Sequence, residues 1–332
     1  MSQAEMQRRN IQVPPFSVRL LQGTLDPLLP ASYRTKDDDS LTHLHIPEPD
    51  YVAFLKEELD LQKISCVFRW LWVAGRPMPP RPLHHQLILG REILITERMD
   101  MHLVWTTGQI FLKPIPPFLL EPSFWEDHLS CREGCHCPQD PDTSCKIELR
   151  ARALGILSSY TALVSHMSDF LIAQDRHLIP RGVEWPAWRT LVREVVGIND
   201  IDQKVDQRFI YGELRLDRLN WINLLSGRIR GYMLRWNKYT AFFRDNLSLL
   251  ASGTVYIAVV LTAMQVGLAT SLADNSAFLS ASYGFTIFSI LGPLVVAALM
   301  FLVFLFIFID NWVETVRYRR KRFHAVEGGL EE

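Results

Sequence analysis

The chain has 332 residues with 35 basic and 36 acidic side chains, a formal net charge of −1, and is long enough for one ordinary soluble domain with residues to spare. So even a balance lacks the basic surplus that marks nucleic-acid-binding domains, and no nucleic-acid partner is expected. The opening MSQAEMQRRNIQVPPF lacks the apolar stretch of about 7–15 residues that a secretory signal needs, so the five cysteines are expected in a reducing compartment without a disulfide framework.

Residues 1–46, with Pro14, Pro15, Pro27, Pro30 and the acidic run 37–39, read as a flexible N-terminal arm. From Pro47 the sequence changes. Val52, Leu55 and Leu59, then Ile64, Val67, Phe68 and Leu71, recur at spacings of three and four and predict two short helices with a buried face. The GRPMPPRP segment at 75–82 cannot continue a helix, because proline removes a donor and clashes with the preceding turn. It reads either as a stiff connector or as a polyproline-type ligand for a partner domain. REILITE (91–97) and HLVWTTGQIFLKP (102–114) are rich in β-branched and aromatic residues, with turn signals at Met99-Asp100 and Thr107-Gly108, and predict a small antiparallel sheet.

Cys131, Cys135, Cys137 and Cys145 follow within CREGCHCPQDPDTSC, beside His128 and His136. Four thiolates can enclose a zinc ion tetrahedrally, although only Cys131 and Cys135 have knuckle spacing. The alternative is a loop carrying thiols and no cofactor. Residues 147–178 read as one long helix, with Leu149, Ala153, Ile156, Leu157, Tyr160, Leu163 and Val164 along one face. A second helix is expected near Trp185-Pro186, where proline suits the first turn, and a third from about Arg208. The text RIRGYMLRWNKYTAFFRDN then runs on as a stalk helix with no proline to stop it.

Residues 246–309 hold two long uncharged runs separated only by Asp274. A bilayer core of roughly 30 Å takes about 20 apolar residues of helix, which predicts transmembrane helices at about 249–271 and 285–309. Arg228, Arg230, Arg235, Lys238 and Arg244 precede the first run. Arg317, Arg319, Arg320, Lys321 and Arg322 follow the second, and the connection 272–283 has neither Lys nor Arg. The positive-inside rule therefore places both termini in the cytosol, in a membrane the sequence does not specify. Within the runs, Thr262 and Gln265 are polar atoms that need partners. Ala263, Gly267 and Ser271 make a small-xxx-small ladder for close helix approach, and Gly292-Pro293 predicts a kink.

The resulting architecture is a flexible arm (1–46), a cytosolic α+β domain, mainly helical with a small antiparallel sheet and ending in a stalk helix (47–245), a two-helix transmembrane hairpin (246–310) and a basic cytosolic tail (311–332). No G-x-x-x-x-G-K-[ST], G-x-G-x-x-G, H-E-x-x-H or G-x-S-x-G occurs, so the usual carriers of phosphate-loop, dinucleotide, zincin and hydrolase chemistry are missing. The pairs His84-His85 and His43-x-His45 read as metal ligands or as ordinary surface histidines.

Several blocks, HIPEPDYVAFLKEELDL, ALGILSSYTALVSHMSDF, EWPAWRTLVREV, RFIYGELRLDRLN and TVYIAVVLTAMQVGLAT with NSAFLSASYGFTIFSILGPL, resemble a family of ascomycete fungal membrane proteins of unknown function. Its members often bear an automated label of subtilisin-like serine protease. That label requires Asp, His and Ser each in its own motif, and the chain has no Asp-[Ser/Thr]-Gly, His-Gly-Thr or Gly-Thr-Ser. The protease expectation is rejected.

The architecture also resembles CorA-type magnesium channels, which imply a homo-oligomer around a pore lined here by Thr262, Gln265 and Asn275. The channels' Gly-Met-Asn signature is replaced by Gly267-Leu268-Ala269. The sequence reading is thus a two-pass membrane protein with a non-catalytic interaction or scaffold role and unidentified protein partners. The alternatives are an oligomeric cation channel and, third, a membrane-tethered enzyme.

Overall fold

Apolar spacing of three and four winds the start of the folded region into helix rather than strand. In the computed structural model, which describes residues 13–21, 26–36, 42–48, 51–130, 146–226, 232 and 239–328, this gives α1 (Tyr51–Glu58), α2 (Gln62–Ser65) and α3 (Leu71–Ala74). A 3₁₀ turn, Phe68–Trp70, leads into the last. The chain divides into two units, Met1–Thr35 with Thr42–Met233, and Lys36–Leu41 with Leu234–Glu332.

Strands β1 (Tyr33–Lys36) and β2 (Thr42–His45) pair with each other. After α4 (Leu83–Ile88) come β3 (Glu92–Ile95), β4 (Val104–Thr106) and β5 (Gln109–Leu112). β4 and β5 form the expected antiparallel hairpin across Thr107-Gly108, where Gly108 takes a φ of +75° that an L side chain resists. The sheet as a whole is mixed, which corrects the antiparallel expectation. A 3₁₀ turn at Met99–Met101 carries the chain over, so that β3 lies parallel to β5, Glu92 opposite Gln109. The two-residue strand β6 (Leu214–Arg215) adds in parallel beside β4, giving the order β3-β5-β4-β6.

The sheet separates two cores because successive strand residues face opposite sides. Ile110 and Leu112 join the larger core with Phe54, Leu55, Trp125, Tyr160 and Trp188, whereas Phe111 packs on the smaller one of Ile64, Leu71, Val104, Leu219 and Ile222. Helices α5 (Pro122–His128), α6 (Lys146–Leu163), α7 (Met167–Asp175) and α8 (Trp185–Val196) follow. Pro186 lies in the first turn of α8, as expected.

Two helices break where periodicity alone predicts continuity. Between α6 and α7, His166 turns to an extended conformation (φ −120°, ψ 161°) and caps the new helix, with Asp169 reaching back to its N–H at 3.0 Å; this reciprocal cap starts a helix instead of prolonging one. After α9 (Ile201–Lys204) and α10 (Gln207–Ile210), the expected third helix stops, passes through β6 and resumes as α11 (Leu216–Leu225). The break is at Gly212, whose N–H bonds to the Met78 carbonyl at 3.0 Å.

In the second unit, α12 (Tyr239–Leu268) and α13 (Ser276–Gly328) pack against each other across a 3₁₀ turn, Ser271–Asp274. Of the stalk expected over 228–246, residues 239–246 form the leading part of α12, while 228–231 and 233–238 lie outside the described residues, and the connection is tighter than 272–283. α13 has 53 residues and continues through Pro293 and the basic cluster. Leu250–Leu268 and a 46-residue stretch Ser276–Lys321 are each long and apolar enough to cross a membrane, and neither apolar window is buried.

A methyl group at Gly212 would collide with the Met78 carbonyl oxygen and approach Pro80 N to 2.6 Å, both backbone atoms, whereas at Gly253 it would meet nothing within 4 Å. Gly212→Ala is therefore expected to lower stability by about 1–3 kcal/mol and Gly253→Ala to cause no loss, measured as the shift in urea unfolding followed by tryptophan fluorescence.

Candidate functional site

A carboxylate withdrawn from water must be met by donors, and around Glu213 the first unit supplies them in number. Its Oε1 accepts from Arg81 N (3.1 Å), Arg81 Nε (2.9 Å) and Gln86 Nε2 (2.8 Å), and its Oε2 from Arg81 Nη2 (2.8 Å) and Arg91 Nη1 (2.7 Å). Burial alone would raise the Glu213 carboxyl, but these bonds outweigh it and hold the group at about 2, against an ordinary 4.5. The proline-rich segment 75–82 is thus a fixed connector. Gly75 and Gly212 let its backbone lie against 212–214, where side chains would clash.

Above Glu213 opens a cavity of about 400 Å³ lined by Arg76, Met78, Arg81, Trp105, Arg215 and Arg218. The Arg91 and Arg215 guanidiniums lie 4.0 and 5.3 Å from the centroid of the Trp105 ring, favourable cation–π contacts. Arg218 donates from Nη1 to the Val73 carbonyl at 2.9 Å. Arg215 Nε is buried without a hydrogen bond, its nearest acid being Asp217 Oδ2 at 3.5 Å. The four lining arginines face one carboxylate that is already engaged, so the cavity offers guanidinium N–H groups to an anion. Phosphate and carboxylate match that fork-shaped donor geometry.

A second cluster joins α4 to α7. Asp169, fully buried, accepts at Oδ1 from His84 N and His84 Nδ1, both at 2.8 Å, while His166 Nδ1 lies 3.4 Å from Oδ2. Burial acts to raise this carboxyl, yet the bonds from His84 and His166 keep it below the ordinary range. The ligand atoms of His84, His166 and Asp169 lie within 4.8 Å of one another, a donor set that suits zinc with an open position. As it stands, the carboxylate is a staple: its acceptor positions serve the starts of two helices.

Ser159 and His102 make a serine–histidine pair with the wrong polarity for a nucleophile. His102 Nδ1 accepts from Lys113 N at 3.1 Å, so its proton is on Nε2, which donates to Ser159 Oγ at 2.8 Å. The Ser159 hydroxyl in turn donates to the Ile156 carbonyl at 2.7 Å. An activated serine must instead give its proton to the imidazole. Burial, then the charges of Arg208 and Lys113, press the His102 imidazole well below its usual range, which keeps it neutral and structural.

Of the residues singled out from sequence, Cys131, Cys135, Cys137 and Cys145 lie outside the described residues. His43 and His45 sit on β2 with ring centroids 6.5 Å apart. Thr262 satisfies its hydroxyl within α12, donating to the Ala258 carbonyl at 2.9 Å, while Ala263 and Gln265 are exposed on that helix. Gly267 faces Phe278 of α13 so closely that a methyl group would come within 2.6 Å of the ring, and Ser271 begins the connecting turn. Asn275 accepts from Ala277 N at 3.0 Å as the cap of α13. Pro293 and the basic residues Arg317, Arg319, Arg320, Lys321 and Arg322 all lie within α13.

Residues 51–293 match DUF6601, a family of unknown function. The chain belongs to DUF6601. The DUF6601 match starts at the first residue of α1 and ends at Pro293 inside α13, so it takes in the arginine cavity, all of α12 and α13 up to that proline. No curated protein and no solved structure matches the chain.

Sequence reasoning did not find the arginine cavity, because its arginines come from two distant stretches. The signal that could have raised it is the pairing of the arginine-bearing proline segment with Glu213-x-Arg215-x-x-Arg218.

Two outcomes are expected. Glu213 lies below its ordinary value in the folded state, so its contribution, on the order of 3 kcal/mol, is complete above about pH 5 and vanishes as pH falls toward 2. Glu213→Gln should remove that acid-dependent limb and lower stability at pH 7 by about the same amount, read from denaturation curves across pH. A fluorophosphonate probe for activated serines should leave the chain unlabelled, Ser159 included.

Proposed function

We propose that this DUF6601 protein is a two-pass integral membrane protein with both ends in the cytosol, and that its folded N-terminal unit is a non-catalytic interaction module holding an anionic partner in the arginine cavity. One observation carries the reading: arginines converge on a cavity whose single lining carboxylate is already spent on Arg81 and Arg91. Arg215 Nε makes no hydrogen bond and only a loose ion pair with Asp217 at 3.5 Å, so this guanidinium keeps donor capacity for an anion. The two apolar helices, outward-facing and flanked by basic residues, support the bilayer part of the proposal.

The test is calorimetric titration of the detergent-solubilised full chain with inositol hexakisphosphate, a soluble probe rich in phosphate. Binding is expected to weaken steeply with salt, and the double variant Arg215→Gln/Arg218→Gln to bind at least about tenfold more weakly. Equal affinity in the variant would overturn the module reading.

A further inference from the structure

The arginine cavity does not stand alone on its surface. Arg218 of α11 lines it, and Trp221 and Leu225 follow three and seven positions later, the spacing that keeps residues on one helical face. Both are strongly exposed, Trp221 at 64% and Leu225 at 83%, with Leu224 beside them at 48%. Helix α3 packs against α11 and is tied to it by the bond from Arg218 to the Val73 carbonyl. Next to that carbonyl, Trp72 of α3 is 63% exposed.

Singly exposed apolar residues are normal. Here, however, two tryptophans and two leucines gather on two joined helices, and the helix face that carries Trp221 and Leu225 ends in an arginine at the rim of a cationic cavity. Tryptophan has an apolar body and one N–H donor, which suits the boundary between hydrocarbon and headgroups, and guanidinium suits the phosphate lying just outside it.

We infer that this surface, Trp72, Trp221 and Leu225 together with the arginine cavity, is a bilayer-contact surface that takes anionic phospholipid headgroups. The inference rests on the module reading above and names the partner. Two features favour lipid as the occupant. The charge is complementary to an anionic leaflet, whose negative surface potential attracts each guanidinium near it. In addition, the stripe on α11 precedes in the chain the helix that carries the first apolar window, so a bilayer is always present at high effective concentration.

The experiment uses the full chain in nanodiscs of phosphatidylcholine alone or with about one-third phosphatidylserine, and reads amide hydrogen exchange over 68–76 and 216–225. Exchange in both segments is expected to slow about tenfold with the anionic lipid and to recover in about 0.5 M salt, where screening falls to a few ångströms. Trp221→Ala/Leu225→Ser, at exposed positions where folding is little affected, should abolish the slowing without shifting the unfolding midpoint.

Identical exchange in both lipids would overturn the lipid assignment, even with inositol hexakisphosphate binding intact, and the module reading would then survive without it. Slow exchange in phosphatidylcholine, phosphatidylserine and detergent alike would also overturn it, because protein rather than lipid would then cover the face. Loss of both lipid response and inositol hexakisphosphate binding would overturn both readings.

Discussion

The carboxylate of Glu213 is the constraint on which the first unit's functional geometry depends. It accepts hydrogen bonds from Arg81, Gln86 and Arg91 and so ties the strand that closes the sheet to the proline-rich connector, to α4 and to the residue before β3. A buried carboxylate and the buried Arg91 guanidinium cost more than they return unless the donors are well placed. That requirement leaves the connector little freedom. Because β6 runs directly into α11, the position of Glu213 also fixes where Arg215 and Arg218 emerge.

The same arrangement explains how a chain with almost no net charge carries a strongly cationic cavity. The acid is consumed from beneath, as scaffolding, while the guanidiniums above it keep donors to spare. Other buried cations of the unit are spent inward. Lys113 Nζ meets Glu58 at 2.6 Å and the Glu97 carbonyl at 2.5 Å, and Arg208 donates to the carbonyls of His102 and Tyr211. Burial lowers Arg208 to about 10, still far above neutrality, so it remains a charged brace. It holds the His102 carbonyl next to Leu103, whose φ of +61° a leucine adopts only under constraint.

The apolar runs were legible in the sequence because a membrane-length segment needs many consecutive uncharged residues, a requirement few other structures impose. The short helices of 51–74 and the β4-β5 hairpin were legible from local spacing and Gly108. The break between α6 and α7 was not, since Phe170 and Ala173 continue the apolar pattern into the same core and the cap comes from His166, a weak helix starter. The break at Gly212 was hidden for a different reason: the need for glycine arises from Met78 and Pro80, far back in the chain. β6, two residues long, has no periodicity to read. The cavity's arginines are ordinary surface residues in each stretch, and only folding makes them a group.

The length of α13 gives the protein a lever. At 1.5 Å per residue its 53 residues extend about 80 Å, well beyond a hydrocarbon core of about 30 Å. Seated in a bilayer as proposed, the helix would cross the interface without a joint, since no loop interrupts it between Ile309 and Gly328. A tilt of about 20°, ordinary for such helices, would swing the far end of that extension sideways by about 10 Å. Changes in bilayer thickness would then be converted into displacement of the basic residues Arg317 to Arg322, by stiffness alone.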